Sequence, residues 1–214
     1  MTAGQRLGEL YQRLFEAYGP QHWWPGDTPF EVLVGAVLTQ NTNWGNVERA
    51  IANLKAEGLL SLEGLRSLPL PELALLIRPA GYYNLKALRL MNLLDLLAER
   101  FGGDLDALWA LPLDQARSEL LSSKGVGPET ADSILLYAGN LPSFVVDAYT
   151  FRALGRHGLA PEGLDYHGLR ARFMDSLPAD PTLYNEFHAL LVRLGKERCK
   201  KGRPWCEGCP LEGW

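Results

Sequence analysis

The sequence predicts an all-α protein. Apolar residues recur at three- and four-residue intervals, as in Leu7, Leu10, Tyr11, Leu14, Phe15 and Tyr18. Several such stretches are bracketed by helix-starting and helix-stopping residues, and no stretch shows the alternation of a strand. At 214 residues and 47% hydrophobic, the chain can bury a sizeable core, as one large domain or two intimate lobes.

The first helix covers residues 4 to 18, and its apolar stripe needs a neighbour. In the following segment Trp23 and Trp24 are adjacent, and Pro25 and Gly26 keep it from being regular helix. Two adjacent large aromatics there suit either a lid over the core or a stacking platform for a flat ligand. Thr28-Pro29-Phe30-Glu31 is a capping box with proline at the first helical position. The helix it opens is apolar on nearly every side, which predicts a buried central helix ending in the polar run Thr39-Gln40-Asn41-Thr42-Asn43-Trp44. Helices follow at about 46–58, 61–68, 71–78, 84–100 and 104–110. Leu68-Pro69-Leu70, a helix, the Ala80-Gly81 turn and another helix echo Leu111-Pro112-Leu113, a helix, the Gly125 turn and another helix. The offset is 43 residues at the start and 44 at the turn, which predicts two helix-turn-helix units.

Residues 122–152 organise the rest. Gly125 and Gly127 permit a tight turn with positive φ, Pro128 suits a first helical position, and the helix should run to about Ala138 before Gly139-Asn140. A short apolar approach, Phe144-Val145-Val146, then delivers one carboxylate, Asp147. A carboxylate so delivered is poorly solvated and rigidly held, which suits a group facing developing positive charge. Helices near 148–154, 166–176 and 181–195 complete the fold.

This stretch resembles the helix-hairpin-helix plus Gly/Pro-Asp motif of the endonuclease III superfamily of DNA base-excision glycosylases, and the resemblance covers nearly the whole chain. It implies a two-lobed fold: a six-helix lobe at 23–141 carrying the hairpin, a discontinuous lobe of 1–22 and 142–214, and a DNA-facing cleft between them. It also implies that the N–H groups of Gly125, Val126 and Gly127 hold a DNA phosphate and that Asp147 carries the chemistry. Gln40 and Tyr82, the latter in Gly81-Tyr82-Tyr83-Asn84, match the family's DNA-inserting positions. The implied partner is double-stranded DNA with a damaged base, bound by a monomer. A filler is needed because base extrusion costs a few kcal/mol in unstacking and unpairing.

Net charge is −4, which by itself argues against a nucleic-acid partner. The distribution reverses the argument locally, since residues 193–203 hold six Lys and Arg against one Glu. No apolar run approaches a membrane span and the N-terminus lacks a signal peptide's regions, which predicts a soluble intracellular protein. In that setting Cys199, Cys206 and Cys209, three thiols within eleven residues, point to metal or iron–sulfur ligation. Zinc competes, although a six-residue spacer is atypical of zinc knuckles. The resemblance implies a 4Fe-4S cluster, with a fourth cysteine one position beyond Trp214. Lys200, Lys201 and Arg203 fall in the loop between the first two thiols, where they could meet phosphate.

Glu129 stands where bifunctional members of the family place a lysine, and a glutamate cannot form a Schiff base with the sugar. The expectation is a monofunctional enzyme that releases the base with water and leaves an abasic site. Trp23-Trp24-Pro25, Gln40-Asn41-Thr42 and Trp44 resemble the 3-methyladenine glycosylases of the superfamily, whose aromatic residues sandwich the flipped base, and Lys196 matches a lysine near their pocket. An aromatic sandwich attracts a cationic alkylpurine by roughly 0.5 to 2 kcal/mol. A glycosylase for damaged or mismatched pyrimidines and a lesion-binding protein with little catalysis are the competing readings.

Overall fold

The computed structural model describes residues 2–23, 26–161 and 163–214, and Trp24 and Pro25 of the expected base pocket lie outside them. Every regular element among the described residues is helical. In chain order these are α1 (Ala3–Tyr18), α2 (Pro29–Leu38), α3 (Trp44–Ala56), α4 (Leu62–Arg66), α5 (Leu70–Leu76), a 3₁₀ turn (Arg78–Ala80), α6 (Tyr83–Phe101), α7 (Leu105–Trp109), α8 (Leu113–Ser122), α9 (Pro128–Ser133), a π-helical turn (Ile134–Ala138), α10 (Ala148–Arg156), α11 (Tyr166–Met174) and α12 (Pro181–Glu197). None of these helices is long and apolar enough to cross a membrane. The chain divides into two compact units, Met1–Trp23 with Pro142–Trp214, and Trp24–Leu141.

In the continuous unit, α2 is the buried centre. Val32, Leu33, Val34, Val37 and Leu38 are all shielded, and α2 packs on α3, α6 and the π-helical turn. Thr28 caps it, accepting the Glu31 N–H at 3.1 Å, while the Glu31 carboxylate lies 2.8 Å from the Lys55 Nζ. The box is therefore half built, because a cation of α3 offers the carboxylate a better partner than the cap's own N–H. Asn43 accepts the Asn46 N–H at 3.2 Å, so α3 begins at Trp44. That is two residues earlier than its polar face predicts.

The internal echo is a feature of the backbone. The starts of α4 and α7, and of α5 and α8, are 43 residues apart. Pro69 (φ −58°, ψ 140°) and Pro112 (φ −52°, ψ 140°) open the corresponding helices in nearly the same conformation. The turns that follow contain Gly81 at φ 70° and Gly125 at φ 105°. Gly127 differs from expectation, since it is extended (φ −93°, ψ 175°) and caps α9. The helix after it also differs, passing into a π-helical turn closed by the Gly139 N–H on the Ile134 carbonyl at 3.1 Å.

In the discontinuous unit, Thr2 and Gln5 form a full capping box on α1, a signal that the sequence reading missed. Phe144 of the apolar approach stacks on Phe173 at 3.8 Å between centroids and meets Tyr184 and Phe187 edge-on. These rings anchor the segment that delivers Asp147. α12 packs on α1 and α10. A Cβ at Gly195 would lie 2.2 Å from the Tyr149 ring, so only glycine allows α12 to approach α10 this closely.

Candidate functional site

Asp147 is the N-cap of α10. Its Oδ1 accepts from the Thr150 N–H at 2.8 Å and from the Thr150 hydroxyl at 3.0 Å. Its Oδ2 lies 3.5 Å from Nε2 of His188, a buried residue of α12. Burial by itself raises the pKa of this carboxyl. His188 and the two Thr150 bonds outweigh burial and hold it below the ordinary carboxylate value. The result is a nearly enclosed carboxylate, charged at neutral pH, whose orientation is set from two helices.

His188 also connects Asp147 to the aromatic segment. Its ring meets Trp23 edge-on at 6.1 Å between centroids, and the Nζ of Lys196 lies 5.8 Å from the Trp23 centroid. Asp147, Trp23 and Lys196, singled out separately in the sequence, thus belong to one contiguous array. His188 and Thr150 were missed. A hydroxyl residue three positions after a capping aspartate is a readable signal for Thr150. A lone histidine within the apolar stripe of α12 gives no comparable signal for His188.

Cys199 is buried, Cys209 half-buried and Cys206 exposed. All three line one cavity of about 350 Å³, together with Arg156 and Arg198. Among the described residues, no three His, Cys, Asp or Glu side chains are grouped tightly enough to hold a single metal ion. Burial pushes the Cys209 thiol up, and the neighbouring thiols add to that. Arg156, also missed, donates to the Cys199 Sγ at 3.2 Å and to the carbonyls of Lys200, Lys201 and Gly202 at 2.8 to 3.3 Å. It thereby fixes the loop on which Lys200, Lys201 and Arg203 are exposed. The Nζ of Lys200 lies 4.6 Å from the centre of the exposed Trp205 ring.

The continuous unit carries the remaining candidates. In the hairpin the Val126 N–H is donated to the Ser123 carbonyl at 3.0 Å. Val126 thereby closes the turn, while the neighbouring Gly125 and Gly127 have no backbone–backbone bond from their N–H groups among the described residues. Gln40 is drawn back onto the hairpin: its Nε2 donates to the Gly125 carbonyl at 3.1 Å and the Thr130 hydroxyl at 3.0 Å, and its Oε1 accepts from Arg89. Tyr82 is 71% exposed and has a left-handed backbone (φ 46°). The Trp44 ring rests on Gly35, where a Cβ would lie 3.3 Å away, and its Nε1 donates to Glu48 at 3.0 Å. It lines a second cavity of about 340 Å³ with Glu31, Glu48, Ile51 and Lys55. Glu129 is exposed in the first turn of α9.

The chain is 47% identical, over 97% of its length and 94% of the relative's, to a protein of Methanocaldococcus jannaschii assigned as a DNA repair glycosylase. Among solved structures it is similar to the Helicobacter pylori 3-methyladenine DNA glycosylase bound to 1,N6-ethenoadenine. That likeness has 30% identity and a TM-score of 0.77, covering 92% of this chain and 98% of that one. It is also similar to endonuclease III in a non-covalent complex with DNA, at 25% identity and a TM-score of 0.83 over 100% and 97% of the two chains. Residues 34–179 match the family model described as HhH-GPD superfamily base excision DNA repair protein, and to that superfamily this chain belongs.

Proposed function

We propose that the protein is a monofunctional DNA glycosylase that extrudes alkylated purines such as 3-methyladenine from duplex DNA and hydrolyses their N-glycosidic bond, leaving an abasic site. The observation that carries this reading is the array around Asp147, a charged, shielded carboxylate joined through His188 to the Trp23 ring. As the base departs, the sugar becomes oxocarbenium-like, and a preorganised carboxylate stabilises that charge. The same carboxylate orients the attacking water and takes its proton. The Trp23 face already attracts the Lys196 cation, and a cationic purine would gain from the same quadrupole. A charged base is also a good leaving group, so little acid catalysis is needed. Likeness to a 3-methyladenine glycosylase supports this substrate class.

Gly125 and Gly127 would hold a phosphate, and Gln40 and Tyr82 would enter the duplex. Lys200, Lys201 and Arg203 would add backbone contacts, and Trp44 would stack on a base. Glu129 offers no amine, so strand cleavage through a Schiff base is not expected. The three cysteines are soft donors around one cavity; deprotonated and joined by a fourth ligand they would hold a 4Fe-4S cluster, and Arg156 and Arg198 would offset the charge of the thiolates. Such a group would brace the basic loop against DNA. A second reading, a glycosylase for damaged or mismatched pyrimidines, is favoured by the likeness to endonuclease III along the whole chain.

The test is chromatography of free bases released from methylated duplex DNA by the wild type and by Asp147→Asn. Release of 3-methyladenine by the wild type alone, with strands intact until alkali is added, is the expected result. Release only from oxidised or mismatched pyrimidine substrates would overturn the alkylpurine reading and favour the second. Tight lesion binding without release of any base would overturn both.

A further inference from the structure

Lys86 is 1% exposed, in the first turn of α6. Its Nζ donates to the Leu38 carbonyl at 2.7 Å and to the Ala80 carbonyl at 2.8 Å. Burial pushes this ammonium down to about 8, and nearby Arg89 adds to the effect. An apolar side chain of similar volume would fill the same space without the cost of desolvating a charge. The two acceptors explain its presence. Leu38 ends α2 and Ala80 ends the 3₁₀ turn, so each carbonyl is a helix-terminal acceptor carrying partial negative charge. Each also lies two residues before a candidate DNA-inserting side chain, Gln40 in one case and Tyr82 in the other.

The same face of α6 continues the pattern at three-residue intervals. Arg89 donates to the Gln40 Oε1, and its stem lies against Gly125, where a Cβ would fall 2.3 Å from the Arg89 Cγ. Asn92 donates to the Lys124 carbonyl at 2.8 Å. One helix face thus bonds three separate segments: the end of α2, the turn before Tyr82 and the hairpin.

We propose that Lys86 is a positioning residue for base extrusion: its buried ammonium fixes the segments bearing Gln40 and Tyr82 at one spacing, so that the two side chains enter DNA as a pair. Arg89 and Asn92 extend the alignment to the hairpin. The proposal rests on the reading above, in which both side chains enter the duplex.

The test uses the full chain and a duplex with a tetrahydrofuran abasic analogue opposite 2-aminopurine, whose fluorescence rises on unstacking. Anisotropy reports binding separately. The variants are Tyr82→Ala, Lys86→Met and the pair. We expect Lys86→Met to reduce the fluorescence rise by about fivefold or more while binding stays within about threefold. The double variant should lose no more than the larger single loss, because Tyr82 is already misplaced when the ammonium is gone. A wild-type rise in Lys86→Met, or independent losses that multiply in the pair, would overturn the proposal. A wild type that binds with no rise would overturn the extrusion reading, and the proposal with it. If Lys86→Met does not fold, Lys86→Gln replaces it, since its amide still reaches one carbonyl. A partial loss that does not multiply with Tyr82→Ala is then expected, and a multiplying loss overturns the proposal.

Discussion

The imidazole of His188 lies 3.5 Å from the carboxylate of Asp147, and this pair joins a helix-capping aspartate to the aromatic ring of Trp23. Burial drives the Asp147 carboxyl towards neutrality and His188 opposes it, so removing the imidazole should let burial win. His188→Leu is therefore expected to move the acid limb of the single-turnover rate to higher pH. The rate at neutral pH should fall on the order of tenfold to a hundredfold, as when an orienting partner of a reactive group is removed. His188→Gln, whose amide can place a donor near the same point, should recover much of the loss. An unmoved acid limb in His188→Leu would show that the pair does not tune the carboxylate.

Asp147 has two tasks, and two substitutions separate them. Asparagine caps a helix about as well as aspartate, whereas alanine costs about 1 kcal/mol at such a position. Asp147→Asn should abolish base release with α10 intact, and Asp147→Ala should lower urea stability as well. The wild-type carboxyl is depressed in the folded state, so its contribution to stability is complete above the unfolded value of about 3.9 and is lost as pH falls through the folded value. Urea titrations from neutral pH downward should therefore show a steeper acid loss of stability in the wild type than in Asp147→Asn.

The helices were legible in the sequence because their apolar periodicity and caps are local. The place of Asp147 was legible for a similar reason, since it directly follows the apolar run Phe144-Val145-Val146, but its capping of α10 through Thr150 was not read. His188, Lys86 and Arg156 were not legible. Each acts on groups far away in the chain: Lys86 on a carbonyl 48 residues distant, and Arg156 on a thiol 43 residues distant. Gln40 shows another limit. Its place at the end of a buried helix was readable, but its bonds to Gly125 and Thr130 depend on tertiary packing.

Arg156 gives a test of the basic loop. Its guanidinium bonds one sulfur and three consecutive carbonyls, a spread that a point charge cannot cover. Arg156→Lys keeps the net charge and should still weaken DNA binding, with a salt dependence close to that of the wild type. Lys200→Ala and Lys201→Ala should instead each lower the slope of log K against log salt by about one if the ammonium meets a phosphate. Unchanged slopes would assign those lysines to solvent.

The hairpin glycines have different tasks despite their symmetry in sequence. Gly125 has φ 105°, and a Cβ there would lie 2.3 Å from the Arg89 stem. Gly125→Ala should therefore destabilise the protein by roughly 1–3 kcal/mol and disturb the Gln40–Arg89 bonding. Gly127 is extended, and a Cβ there would meet nothing within 4 Å. Gly127→Ala should leave the melting temperature almost unchanged. If the N–H groups of the turn hold a phosphate, the added methyl group stands where the anion must approach, and affinity for abasic-site DNA should fall severalfold. Equal affinity in Gly127→Ala and wild type would remove the hairpin from the DNA contact, whatever happens in Gly125→Ala.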